Sequence, residues 1–181
     1  MKRYGILGFL ALMILAIPAQ AEIVQWDANG HYYEYVAELV SWEEAMAYAE
    51  AQSYNGNQGY LVTLTTAAEN DFVYWNVLGG DSPAPWGDPW IGGYQNDSNS
   101  DPADNWHWVT EEPWDYTNWA PWEPNDWDEL YGEMYLQFTP SGGGWWNDHH
   151  SLNPKPMIIE YSDDVVGTEE SSWDNVKALY R

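Results

Sequence analysis

The chain contains no cysteine and very little positive charge. Without cysteine there is no disulfide framework, no thiolate metal site and no thiol nucleophile. Only five residues are basic against 29 acidic ones, for a net charge of −24. Two of the five, Lys2 and Arg3, precede the apolar run Gly5 to Ile17, which leaves Lys155, Lys177 and Arg181 for everything after it. Such a surface repels phosphate backbones and anionic lipid, so nucleic acid and membrane surfaces are poor partners, while cations and neutral polymers suit it. No second apolar run is long enough to cross a bilayer. The first run, closed by Pro18 and the small-x-small triplet Ala19-Gln20-Ala21, has the form of a secretory leader cleaved before Glu22. We therefore expect residues 1–21 to be a signal peptide and the remainder to be extracellular or periplasmic.

Aromatic side chains are abundant, with 14 Trp and 14 Tyr. A core of this size does not need so many indoles, and Trp is costly to bury unless its N–H finds a partner. A share of them is expected half-exposed, where an indole face can stack on the C–H face of a sugar ring. The rest are expected in the core.

The order of local signals is α+β. His31 to Val36 is an aromatic-rich strand pattern. Ser41-Trp42-Glu43-Glu44 is a capping box, followed by Trp42, Ala45, Met46 and Ala49 at helical spacing. Tyr60 to Leu64 predicts a short strand. Thr66-Ala67-Ala68-Glu69 is a second box, opening a helix that turns Phe72, Val73 and Val77 inward and stops at Gly79-Gly80. Trp90 to Tyr94 is a further strand, and three more are expected at Glu133 to Phe138, Gly144 to Asn147 and Met157 to Tyr161. Between Gln95 and Trp127 the chain is rich in Asp, Asn, Pro and Trp without periodicity. Its tryptophan density argues that this long loop is ordered. The domain should span 22–162, with an acidic linker and short tail over 163–181, where Trp173 to Arg181 predicts two helical turns that could serve self-association or surface docking.

Two tripeptides carry the chemistry. Glu123-Pro124-Asn125 places two oxygen-bearing side chains about a proline, and cis peptides are essentially confined to X–Pro bonds; a cis Pro124 would let both point to one side. Trp146-Asn147-Asp148 supplies a second amide and carboxylate. Calcium takes 6–8 oxygens from such groups. Carboxylates about 5 Å apart at an effective dielectric near 20 repel by roughly 3 kcal/mol per pair, so a crowded set calls for a cation or a proton. An acidic turn bonded only to its own backbone is the other outcome these residues allow.

Taken in order, Trp42 and Ala45, Leu61 to Leu64, Glu69-Asn70, Trp90-Ile91-Gly92, Tyr116-Thr117-Asn118-Trp119, Glu123-Pro124-Asn125, Gly132-Glu133 and Trp146-Asn147-Asp148 resemble the C-type lectin-like domain. The resemblance covers Trp26 to Tyr161. It implies an α+β fold of two helices, small antiparallel sheets and a long calcium-binding loop. It also implies a Ca2+ held by Glu123, Asn125, Glu133, Asn147 and Asp148, and a carbohydrate whose adjacent hydroxyls complete the ion's shell and bond the same side chains. Trp127 and His149 are further sugar-contact candidates. Asp97, Asp101 and Asp126 are candidates for an auxiliary ion, although Pro102 stands where an EF-hand loop has glycine and no closing Glu follows. The Glu-Pro-Asn order implies mannose-like ligands, whereas Trp127 lies where galactose-preferring relatives place a stacking aromatic. The family's disulfides are replaced by Ala49 with Ile159 and by Tyr135 with Ser151.

Enzymatic readings find little support. No pair of carboxylates is singled out as acid and base, and Gly-x-Ser-x-Gly and His-Glu-x-x-His are absent. The adjacent His149-His150 lack zinc-ligand spacing, and the sequon Asn96-Asp97-Ser98 means little by itself. The expectation is a calcium-dependent lectin. The alternative is an adhesive module of the same fold that binds protein, with calcium only stabilising its loop.

Overall fold

A computed structural model describes residues 22–80, 88–97, 101–127, 132–139 and 142–163. The leader and the tail with its expected helical turns lie outside the described residues.

Local chemistry sets the helices. Ser41 Oγ accepts from the Glu44 N–H at 3.2 Å and the Glu44 carboxylate accepts from the Ser41 N–H at 2.9 Å, which starts helix α1 (Trp42–Glu50). Its face of Trp42, Ala45, Met46 and Ala49 is buried, as the spacing predicts. Helix α2 (Ala67–Phe72) begins with only half of the expected box. Thr66 Oγ1 accepts from the Glu69 N–H at 3.2 Å, but the Glu69 side chain turns inward instead of back to Thr66. The helix then widens into a π-type turn over Val73–Val77 and closes at Gly79 and Gly80, whose φ values of 81° and 69° suit glycine.

The strands form one connected sheet rather than separate small ones. Strand β2 (Tyr32–Val40) runs antiparallel to β9 (Lys155–Ser162), from Tyr32 opposite Tyr161 to Val36 opposite Met157. The beginning and end of the domain are thereby locked together. Strand β1 (Ile23–Gln25) adds outside β2, and the hairpin β3 (Ser53–Tyr54) and β4 (Asn57–Leu61) adds to β9. Strand β5 (Trp90–Gln95) meets β9 through one parallel pairing, Trp90 with Met157, and carries β6 (Trp106–Trp108) and β7 (Tyr135–Phe138). Strand β8 (Trp146–His149) completes the row against β7. Of these, β1, β3 and β6 are too short to leave a period in the sequence.

Two packed clusters flank the sheet. One gathers Trp42, Ala45, Met46, Ala49, Leu61, Trp90, Tyr135, Met157 and Ile159. Ala49 and Ile159 are both fully buried in it, so an apolar contact region stands where the family's disulfide would. A Cβ at Gly59 would come within 2.5 Å of the Ala49 carbonyl oxygen, which requires glycine there. Tyr135 stacks on Trp42 with centroids 4.7 Å apart and donates to Glu43 at 2.8 Å; Ser151 is half-buried. The other cluster includes Trp106, Trp108 and Trp146, with Trp114 and Trp119 packed against it. Trp108 and Trp114 lie 4.5 Å apart, Trp106 and Trp119 5.0 Å, and Trp114 and Trp146 5.9 Å. The described part of the long loop is thus ordered by interlocking indoles together with the short β5–β6 ladder. Each buried indole withdraws roughly 200 Å² from water, worth on the order of 5 kcal/mol as an upper bound.

Candidate metal and ligand site

The site is built on β8. The Trp146 N–H donates to the Asn118 carbonyl at 2.8 Å and its carbonyl accepts from the Ala120 N–H at 2.9 Å, so the end of the loop lies parallel to the strand. Trp146 is itself fixed by its Nε1–H donating to Asn70 Oδ1 at 2.7 Å. Both Asn70 and Asn118 donate to the Gly144 carbonyl, at 3.1 and 2.7 Å. Three residues past Ala120, the Glu123–Pro124 bond is cis.

Asp148, 1% exposed, receives that turn. The Asn125 N–H donates to both its carboxylate oxygens at 3.1 Å, and the Asp126 N–H to Oδ2 at 2.8 Å. Glu133 is drawn in from the other side. Its Oε2 accepts from the Trp127 N–H at 2.8 Å, and its own N–H donates to Asp126 Oδ1 at 2.8 Å. Asn125 Oδ1 also accepts from the Trp127 N–H, at 2.7 Å, and the Asn147 amide donates to the Asp148 carbonyl. Main-chain N–H groups therefore gather Asn125, Glu133 and Asp148 on one turn. Glu123 joins them through side-chain hydrogen bonding with Asp148 and Asn125, and Asn147 lies beside Asp148 in β8.

The charges there are poorly neutralised. Burial, then the Asp148 charge and hydrogen bonding, then Glu133, push the Glu123 carboxyl up to about 7, against the opposing hydrogen bond to Asn125. Burial also raises Asp148, while the main-chain N–H donors hold it down. Among the described residues the single Lys or Arg is Lys155, and it is buried beneath Trp90 with its ammonium 5.4 Å from the ring centre. Burial lowers its pKa even though Asp88 and Glu133 oppose the shift. Glu123 Oε2 is buried and has no hydrogen-bond partner. An orphaned carboxylate oxygen in a set of hard oxygen donors fits a divalent cation such as calcium.

No family model matches the sequence. A stretch covering 87% of the chain is 31% identical over 172 residues to halomucin of Haloquadratum walsbyi (strain DSM 16790 / HBSQ001), and spans 2% of that protein's length. The C-type lectin CEL-I from Cucumaria echinata superposes with a TM-score of 0.63 at 26% identity, covering 81% of this chain and 98% of its own. The cow C-type carbohydrate-recognition domain of CD23, solved in the presence of a GlcNAc2Man3 oligosaccharide, gives 0.55 at 25% identity, over 72% of this chain and 86% of its own. This chain has the C-type lectin-like fold.

Within this C-type lectin-like domain the remaining candidates fall in different places. Trp127 is 85% exposed on the site's rim. His149 is half-buried on β8, edge-on to Trp90 at 6.0 Å and against His150 at 4.6 Å. Asp101 Oδ1 accepts from the Ala103 N–H at 3.2 Å and Asp97 is exposed, but residues 98–100 between them lie outside the described residues. Asp126 is occupied in holding Glu133.

One cluster carries a weaker sequence signal. His31, Glu69 and Glu160 bring ligand-type atoms within 4.8 Å of one another, the tightest such set among the described residues. Glu160 is 2% exposed and Glu69 5%. Protein donors or His31 meet all four carboxylate oxygens. Glu160 Oε1 lies 2.6 Å from His31 Nδ1, and Oε2 accepts from the Thr63 N–H at 3.0 Å. Glu69 Oε1 accepts from Tyr33 Oη at 2.8 Å and from Asn29 at 3.3 Å, and Oε2 from the Thr65 N–H and hydroxyl at 3.0 and 3.2 Å. Such satisfaction gives the cluster a structural role, tying α2 to β2 and β9. A lone acid inside Ile158-Ile159-Glu160-Tyr161 was its sequence signal.

Proposed function

We propose that this C-type lectin-like domain binds carbohydrate through a Ca2+ held by Glu123, Asn125, Glu133, Asn147 and Asp148. The observation that carries the reading is the buried, partnerless Glu123 Oε2 beside the raised carboxyls of Glu123 and Asp148. A bound calcium would supply positive charge and open coordination positions for two vicinal hydroxyls. Glu123 and Asn125 would bond those hydroxyls, and the indole of Trp127 would cover one face of the ring. The cow CD23 domain, solved in the presence of a GlcNAc2Man3 oligosaccharide, supports carbohydrate as the ligand class. One such site holds a monosaccharide with a Kd around millimolar, about −4 kcal/mol, so useful affinity requires several sites or several contacts. Extracellular placement agrees with the leader-like start of the chain.

A glycan array run with calcium and with chelator tests the proposal. Calcium-dependent signal that Glu123→Gln abolishes supports it. Sugar binding that ignores chelator, or no sugar signal beside an intact protein-binding activity, overturns it in favour of an adhesive module.

A further inference from the structure

Trp122 occupies a position made for glycine. The Glu123 N–H donates to the Ala120 carbonyl at 3.0 Å, closing a four-residue turn with Pro121 second and Trp122 third. Trp122 has φ 78°, the value a type II turn requires at that place, where glycine or asparagine is the usual residue. A bulky side chain with positive φ is a conformational outlier, and such strain persists where the surroundings impose it. Packing does not repay this strain, because Trp122 is 92% exposed, more than any other large apolar residue described. The turn is rigidly mounted, since Ala120 is buried and bonded to Trp146 in the core strand. Trp122 therefore adds nothing visible to the fold, yet it adjoins Glu123, whose buried oxygen has no partner. Trp127, 85% exposed, follows the same Glu-Pro-Asn segment two residues on in the chain.

We propose that Trp122 is a second stacking platform, which extends the site from one sugar to a glycan chain of at least two residues. This rests on the carbohydrate reading above. An exposed indole attracts the C–H face of a neutral hexose, and a chain of net charge −24 disfavours an acidic polymer in the same place. With exposed indoles bracketing the hydroxyl-binding turn in the chain, a linear glycan would find more points of contact than a monosaccharide, which would use only those nearest Glu123 and Asn125.

The test compares methyl mannoside with mannotetraose, and methyl galactoside with galactotetraose, by calorimetry on the full chain with calcium. Wild type should hold the preferred tetraose about fivefold to tenfold more tightly than its monosaccharide. Trp122→Gly should erase that advantage while the monosaccharide Kd stays the same, and Trp122→Tyr should restore most of it. Because glycine suits φ 78°, the glycine variant should melt no lower than wild type. An unchanged tetraose advantage, or a Tm lowered by more than a few degrees, overturns the platform and makes Trp122 structural. If no monosaccharide binds with calcium, the carbohydrate–calcium reading fails. Tetraose quenching of tryptophan fluorescence in chelator, lost in Trp122→Gly, then still upholds the platform, and no quenching overturns it as well.

Discussion

His31 Nδ1 lies 2.6 Å from Glu160 Oε1, joining the entry of β2 to a carboxylate in the middle of the last strand. Burial raises the Glu160 carboxyl, and the hydrogen bond to His31, with that of the Thr63 N–H, draws it back down. A carboxyl raised in the folded state contributes stability below its unfolded value and loses it as pH climbs through the folded one. Removing His31 should deepen that loss. His31→Ala is expected to cost about 2 kcal/mol at neutral pH and distinctly less near the ordinary carboxylate range, where Glu160 takes up a proton. Denaturant midpoints measured across pH check this, and a penalty independent of pH counts against it.

Calcium should stabilise the folded chain. At a concentration of about 100 times Kd the gain is about 2.7 kcal/mol, which for a domain of this size raises Tm by roughly 5–10 °C. Glu123→Gln should remove the response. A demetallated sample whose melting is indifferent to added calcium speaks against the site.

Asp148 should matter to the loop even without an ion. Its carboxylate accepts from the main-chain N–H groups of Asn125 and Asp126. Asp148→Ala would leave those donors without their acceptor, at a cost of about 2–3 kcal/mol. Amide exchange at Asn125 and Asp126 should accelerate more than at the β2–β9 ladder. Uniform acceleration across the domain would instead mean global loosening.

Salt should also stabilise. With 29 acidic and five basic residues, self-repulsion acts across the surface. Shortening the screening length from about 10 Å at 0.1 M to about 3 Å at 1 M should weaken it. A Tm rise of at least about 3 °C in potassium chloride is expected. A flat or falling Tm would show that the charges are already balanced locally.

Much of the architecture was legible because it follows from short-range rules. The Ser41–Glu44 box and the Trp42, Ala45, Met46, Ala49 stripe specify α1 without reference to the rest of the chain. The strands around Tyr32, Trp90 and Met157 carry enough β-branched and aromatic residues to be seen. Strands β1, β3 and β6 are two or three residues long and exist because a neighbour offers an edge, so no local period announces them. The second helix shows the same limit. Thr66-x-x-Glu69 has a box's spelling, yet Glu69 is taken by Thr65, just before the cap, and by Tyr33, a partner that only the tertiary fold supplies. At the candidate site the residue types were visible, but the division of labour was not. That Asp148 would hold the Asn125–Asp126 backbone, while Glu123 kept an unused oxygen, depends on how the turn docks on β8.

The docking of that turn also bears on rates. Trp146 bonds the loop on both sides of Trp119, and Asp148 bonds it again beyond Pro124, before any ligand arrives. Most of the entropy of ordering this segment is therefore spent during folding, and little is left to be lost on encounter. Ligands of the turn should then associate at similar speeds, and differ from one another chiefly in how long they stay.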